Sequence, residues 1–216
     1  MANTIIQTEN LGFEVDGQKI LSNINLQVDE GDFITIMGPS GSGKSTLLKL
    51  IGLQIDFTSG SIQFQGKNIY DYDPMDYRKK VSYFFQNAVL FGKTVRDNLA
   101  FPSEIRNDSF DEDRAIRGLK EMQLPNDYLD KRINDLSGGE KQRIALIRNM
   151  MYPPKVLLMD EVTSSLDQEN RQNILSYVKG LNEENKTTIL WVTHNEDEID
   201  ASNRLIKIVD GKLEEN

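Results

Sequence analysis

The feature that most restricts how this chain can fold is Gly38-Pro39-Ser40-Gly41-Ser42-Gly43-Lys44-Ser45-Thr46, a glycine-rich run with the spacing G-x-x-x-x-G-K-[ST]. It lies between a β-prone run, Phe33–Met37, and a stretch, Lys44–Gln54, whose Leu47, Leu48, Leu50 and Ile51 predict the apolar face of a helix. Strand, loop and helix in that order form a phosphate cradle. Glycines let the backbone wrap closely around phosphates, and the helix N-terminus turns unpaired N–H groups toward them. Lys44 is suited to the β/γ-phosphates and Ser45 to Mg²⁺. Nucleotide binding follows from this pattern, but the reaction does not, because kinases and GTPases use related loops.

The rest of the chain supplies an α/β context. Leu11, Phe13 and Val15 alternate before an Asp16-Gly17 turn, and Ile20, Ile24, Leu26 and Val28 follow, which predicts a short antiparallel layer. From about Gln86 to Met151 the apolar spacing is helical (Ala115, Ile116, Leu119, Met122), with Pro102 and Pro125 as punctuation. Val156–Met159 and Thr187–Thr193 read as buried parallel strands between helices. The first of these ends in Asp160-Glu161, at the sheet edge where α/β folds present ligands. There Asp160 is suited to hold Mg²⁺ and Glu161 to polarise a water attacking the γ-phosphate.

With 216 residues the chain can bury one substantial core. Its 25 basic and 34 acidic residues give a net charge of −9, which disfavours nucleic acid as an extended partner. No cysteine occurs, so disulfides and thiolate metal sites are excluded, and a reducing cytoplasm suits the composition. The N-terminus lacks the pattern of a secretory signal, and no apolar run approaches the ~20 residues that span a bilayer.

Ser137-Gly138-Gly139, ahead of a helix expected through Lys141–Met151, forms a second anion-binding helix N-terminus; the structural alternative is a glycine pair that merely caps a helix. Together with its neighbours, Leu136-Ser137-Gly138-Gly139-Glu140 resembles the signature motif of ATP-binding cassette (ABC) proteins. Gln86 stands at the Q-loop position, Ser164-Ser165-Leu166-Asp167 resembles the D-loop, and His194, the only histidine, resembles the switch histidine. The resemblance covers essentially the whole chain.

It implies a P-loop NTPase core of α/β class with an antiparallel β-subdomain, about 1–85 and 152–216, and an inserted α-helical subdomain, about 87–151. It implies ATP hydrolysis with Mg²⁺ in a head-to-tail homodimer, where Ser137, Gly138 and Gly139 of one copy close over the γ-phosphate held by the other. Lys44, Gln86, Glu161 and His194 are then catalytic, and Ser45, Gln86 and Asp160 hold Mg²⁺. The loop Asn87–Thr94 faces the driven partner, an integral membrane permease, with the chain peripheral on the inner face of the membrane.

Some positions depart from the family's common pattern. Val15 stands where an aromatic residue often stacks on adenine, with Phe13 two residues away as a substitute. Glu140 replaces a frequent glutamine and Ser165 a frequent alanine. Val162 stands where most transport cassettes have proline. With Thr94–Pro102, Glu104–Asn107, Leu146–Asn149 and Leu190–His194, it resembles a narrower group, the FetA-type iron-export subunits, which implies a FetB-like permease. Competing readings are a non-transport cassette, such as an FtsE-like cell-division subunit, and a P-loop kinase. The kinase would leave the signature and D-loop segments unexplained.

Overall fold

The computed structural model describes residues 3–215. The chain separates into two compact units, one comprising residues up to Tyr83, Lys155–Glu161 and residues from Leu181 onward, the other Phe84–Pro154 and Val162–Gly180.

The first unit contains two sheets. Strands β1 (Thr4–Val15) and β2 (Gln18–Asp29) form a long antiparallel hairpin. Its turn places Asp16 and Gly17 both at positive φ, 51° and 77°, the geometry that matches a two-residue turn to the twist of its strands. Numbering on, β3 is Phe33–Met37, β4 Ser59–Phe64 and β5 Lys67–Asn68, and the antiparallel sheet has the order β2-β1-β4-β5. The second sheet adds β6 (Val81–Phe84), β7 (Val156–Asp160), β8 (Thr188–Val192), β9 (Arg204–Val209) and β10 (Lys212–Glu215) in the order β10-β9-β3-β8-β7-β6. Strands β9, β3, β8 and β7 run parallel. All residues of β7 and β8 are buried, which is why they read as continuous apolar runs rather than alternating ones.

Helix α1 (Lys44–Ile51) follows β3, and its Leu47, Leu48, Leu50 and Ile51 enter the core. It stops short of the expected Gln54: Gly52 is the C-cap and Leu53 turns into the left-handed region. Helix α2 (Pro74–Lys80) starts on Asp73, which accepts from the N–H groups of Met75 and Asp76, with Pro74 in the first turn, where its missing N–H costs nothing. Its Tyr77 is fully buried, edge-on to Phe64, and its hydroxyl donates to the Ile51 carbonyl at 2.6 Å.

The second unit is helical, with α3 (Val95–Glu104), α4 (Glu112–Glu121), α5 (Gly138–Met150) and the greater part of α6 (Gln168–Asn185). Pro102, expected as punctuation, lies inside α3. Asn98, four residues earlier, is buried, and its amide donates to the Phe91 and Thr94 carbonyls, anchoring the helix from the side. Where α4 meets α5, Gly118 stands so close to Ile147 that a β-carbon would lie 2.6 Å from its Cγ2.

Helix α5 begins at Gly138, earlier than expected, because Ser137 is its N-cap. The Ser137 hydroxyl accepts from Glu140 N–H, and Glu140 accepts from Ser137 N–H at 2.6 Å, a reciprocal capping box. Burial pushes the Glu140 carboxyl up, but the Tyr128 hydroxyl, the Ser137 groups and the Lys131 ammonium outweigh it and hold the pKa at about 2.

Two outcomes follow. Tyr77→Phe keeps the ring but strips the hydroxyl from a buried carbonyl, and is expected to lower unfolding free energy by about 1–2 kcal/mol in urea denaturation. A carboxyl held below its ordinary 4.5 contributes stability that is complete above that value and lost as pH falls toward 2. Glu140→Gln should therefore destabilise by about 1 kcal/mol at pH 7 and flatten the loss of stability between pH 4.5 and 2, followed by circular dichroism.

Candidate functional site

In the first unit the loop after β3 has the conformation its glycines predict. Gly38 has φ 142°, and a β-carbon there would fall 2.0 Å from the Ile208 carbonyl oxygen. Gly43, the N-cap of α1, has φ 104°, and a β-carbon would meet Leu21 at 2.6 Å. Gly41, also at positive φ, faces open space. The loop therefore has sites closed to any side chain at its base and room at its rim.

Lys44 bends back over this loop, its Nζ donating to the carbonyls of Gly38 at 2.9 Å and Pro39 at 2.8 Å. Ser42 Oγ is buried and has no hydrogen-bond partner. Such an orphan hydroxyl, at the start of a helix among glycines, is a donor set made for an anion. Ser45 Oγ donates to Asp160 Oδ1 at 2.8 Å, joining the loop to the end of β7. Asp160 is only 8% exposed, and its other oxygen accepts from the Tyr83 hydroxyl at 2.7 Å. One carboxylate, one hydroxyl and incoming phosphate oxygens are the ligands Mg²⁺ prefers, so the residues present fit the ion.

Glu161 adopts φ 49°, a left-handed conformation uncommon for this residue type, and its N–H donates to the Val192 carbonyl at 3.0 Å. The turn carries its carboxylate to the end of the sheet. His194 leaves the end of β8, and its Nε2 lies 3.8 Å from Glu161 Oε1, beyond direct hydrogen bonding but close enough for both to act on one small molecule. Behind His194, Thr193 donates its hydroxyl to buried Glu198 and accepts from Asn195 N–H, which fixes the turn. Lys44, Ser45, Asp160, Glu161 and His194 thus belong to one unit.

Gln86, Ser137, Gly138 and Gly139 belong to the other. Gln86 Nε2 donates to Ser164 Oγ at 3.3 Å, which links the residue to the Ser164-Ser165-Leu166-Asp167 segment. Ser137 uses its oxygen lone pair in the capping box, so its hydroxyl proton remains available, and the first-turn N–H groups of Gly138 and Gly139 have no intrahelical acceptor. A β-carbon at Gly138 would meet nothing, whereas one at Gly139 would crowd the Asn170 amide at 3.0 Å. Asn170 in turn donates its backbone N–H and its side-chain amide to the Asp167 carboxylate. The signature glycines and the D-loop segment are therefore packed together within this unit.

Gln142 carries no motif of its own and was not expected. It is buried on α5, and its amide donates to the carbonyls of Val162 at 2.9 Å and Gln86 at 3.2 Å while accepting from Ala88 N–H at 3.0 Å. Its only sequence signal is a polar residue on the inward face of an otherwise apolar helix. In the loop after Gln86, Val89 is exposed, and Phe91 packs edge-on against Phe101 with Arg148 over its ring. Of the two residues considered for adenine, Phe13 is partly buried against the core beside Leu21, its partner in β2, and Val15 is 50% exposed at the hairpin end.

Known proteins place this geometry. The family described as ABC transporter matches residues 21–164. The chain is 45% identical over 204 residues to the Escherichia coli protein named "Probable iron export ATP-binding protein FetA", covering 94% of this chain and 91% of that one. It is 36% identical to the spermidine/putrescine import ATP-binding protein PotA of Mycoplasma mycoides, spanning 62% of that protein's length. A dimeric post-hydrolysis structure of the ATP-binding cassette MJ0796 bound to ADP and Pi superposes with a TM-score of 0.86 at 30% identity, over 98% of each chain. A phosphate loop, a buried strand-end aspartate, a following glutamate and a capped glycine signature in one such chain lead to one conclusion: this protein belongs to the ABC transporter family and is an ATP-binding subunit that hydrolyses ATP.

Proposed function

We propose that the chain closes head to tail with a second copy around two ATP molecules, Ser137, Gly138 and Gly139 of each completing the site of the other. The convergence of Lys44, Ser45, Asp160, Glu161 and His194 in one unit supports this reading, because these side chains suit phosphate binding and water activation and leave the γ-phosphate open to donors from a second copy. The capped N-terminus of α5 offers those donors.

In this mechanism Lys44 exchanges the Gly38 and Pro39 carbonyls for β/γ-phosphate oxygens, and Ser42 donates its unused hydroxyl to a phosphate. Ser45 and Asp160 are the side chains that would hold Mg²⁺, which when bound draws charge off the phosphate oxygens. Glu161 accepts a proton from the attacking water, and His194 orients that water and contacts the γ-phosphate. Phe13 lies against the adenine, with Val15 at the margin of that surface.

We read the chain as a single cassette whose helical subdomain, about 87–151, docks a permease through Asn87–Thr94. The exposed Val89 and the Phe91–Phe101 pair give that loop an apolar face. Among the described residues no helix is long and apolar enough to cross a membrane, and no cluster of three or more His, Asp or Glu is placed to hold a metal ion. We assign passage and cargo recognition to a FetB-like permease, with the cassette on the inner face of the membrane. Metal export, iron foremost, is the cargo reading favoured by the higher identity to FetA than to PotA.

Glu161→Gln is expected to bind ATP, lose hydrolysis by about 10²–10⁴-fold, and elute as a dimer with ATP and Mg²⁺ in size-exclusion chromatography; a monomer at high concentration overturns the shared site. Lys44→Ala should weaken ATP binding at least tenfold in equilibrium titration. Affinity purification from native membranes should recover a permease of the metal-export type, whereas a cell-division complex would replace transport by signalling.

A further inference from the structure

The Asp160 carboxylate is held by two hydroxyls, and only one of them belongs to a recognised motif. Ser45 donates to Oδ1 at 2.8 Å, and Tyr83, on β6, donates to Oδ2 at 2.7 Å. Tyr83 is itself buried, and its phenol hydroxyl has one proton to donate. A carboxylate turns about its last side-chain torsion with little resistance, and either oxygen can then present itself to a cation. A bond from buried Tyr83 to one oxygen stops that rotation.

The two bonds differ in what happens when nucleotide enters. Ser45 is asked to share its hydroxyl between the cation, through an oxygen lone pair, and Oδ1, through its proton. Tyr83 carries no such demand and keeps Oδ2. We propose that Tyr83 is a positioning residue whose hydroxyl fixes Asp160 so that Oδ1 faces the divalent cation, and thereby sets the cation concentration at which the site fills. This rests on the reading of Asp160 as a cation-holding side chain. Partners that orient metal ligands in this way change metal affinity about 10–100-fold when removed.

The test compares the full chain with Tyr83→Phe. Mn²⁺ binding to the ADP complex is followed by electron paramagnetic resonance, and affinity for a fluorescent ATP analogue is measured in EDTA. The expected result is a Mn²⁺ half-saturation raised about tenfold with unchanged nucleotide affinity in EDTA. A purely structural role would move both or neither, and a coincident Mn²⁺ curve overturns the proposal. If the variant fails to fold by circular dichroism, the wild-type chain labelled with ¹³Cζ-tyrosine gives the answer. Mg²⁺ added to its ADP complex should shift one buried tyrosine resonance, and no shift overturns the proposal. Should wild-type nucleotide binding itself show no response to Mg²⁺ or Mn²⁺, the reading of Asp160 fails rather than the role of Tyr83.

Discussion

A buried carboxylate at the end of β7 is the constraint around which the first unit is arranged. Asp160 lies at the end of a strand whose residues are all buried, where an ionised group is costly unless its lone pairs are satisfied. Two elements must therefore deliver hydroxyls to it: the start of α1, through Ser45, and β6, through Tyr83. The order of the sheet sets β6 beside β7 and leaves β3, with its phosphate loop, beyond β8. The bonds that satisfy this carboxylate also join the phosphate loop to the end of β7.

The second unit solves a related problem with an amide rather than a carboxylate. Gln142 has donors and an acceptor, and it uses both ends to bind three backbone groups of two loop segments to one helix. A carboxylate of the same shape would lack the donors, and an apolar residue would leave buried carbonyls unsatisfied. The helix that presents the signature glycines is thus tied through one side chain to the segment that follows Gln86 and to the segment that follows Glu161.

Much of the site could be read from the sequence because its signals are local. Glycine spacing before Lys44, an apolar strand before Asp160-Glu161 and the Ser137-Gly138-Gly139 run ahead of a helix each encode a backbone shape within a few residues. Tyr83 and Gln142 could not be found that way, since their roles depend on sheet order and on loops brought together from distant parts of the chain. Local reasoning also misplaced Pro102. Turn propensity marks proline as a break, but α3 runs through it, with buried Asn98 bonded to the carbonyls of Phe91 and Thr94. The antiparallel sheet was expected from its first hairpin, whereas the addition of β4 rests on its pairing with β1, between residues about fifty positions apart, and β5 then pairs locally with β4.

The left-handed backbone at Glu161 has a meaning of its own. A residue with a β-carbon in that region holds about 1 kcal/mol of strain that glycine would release. The fold keeps a side chain there and tolerates the strain, because the same turn that is unfavourable for the backbone points the carboxylate off the end of the sheet. At this position the backbone favours glycine whereas the role proposed for Glu161 needs a carboxylate, and the chain carries the carboxylate.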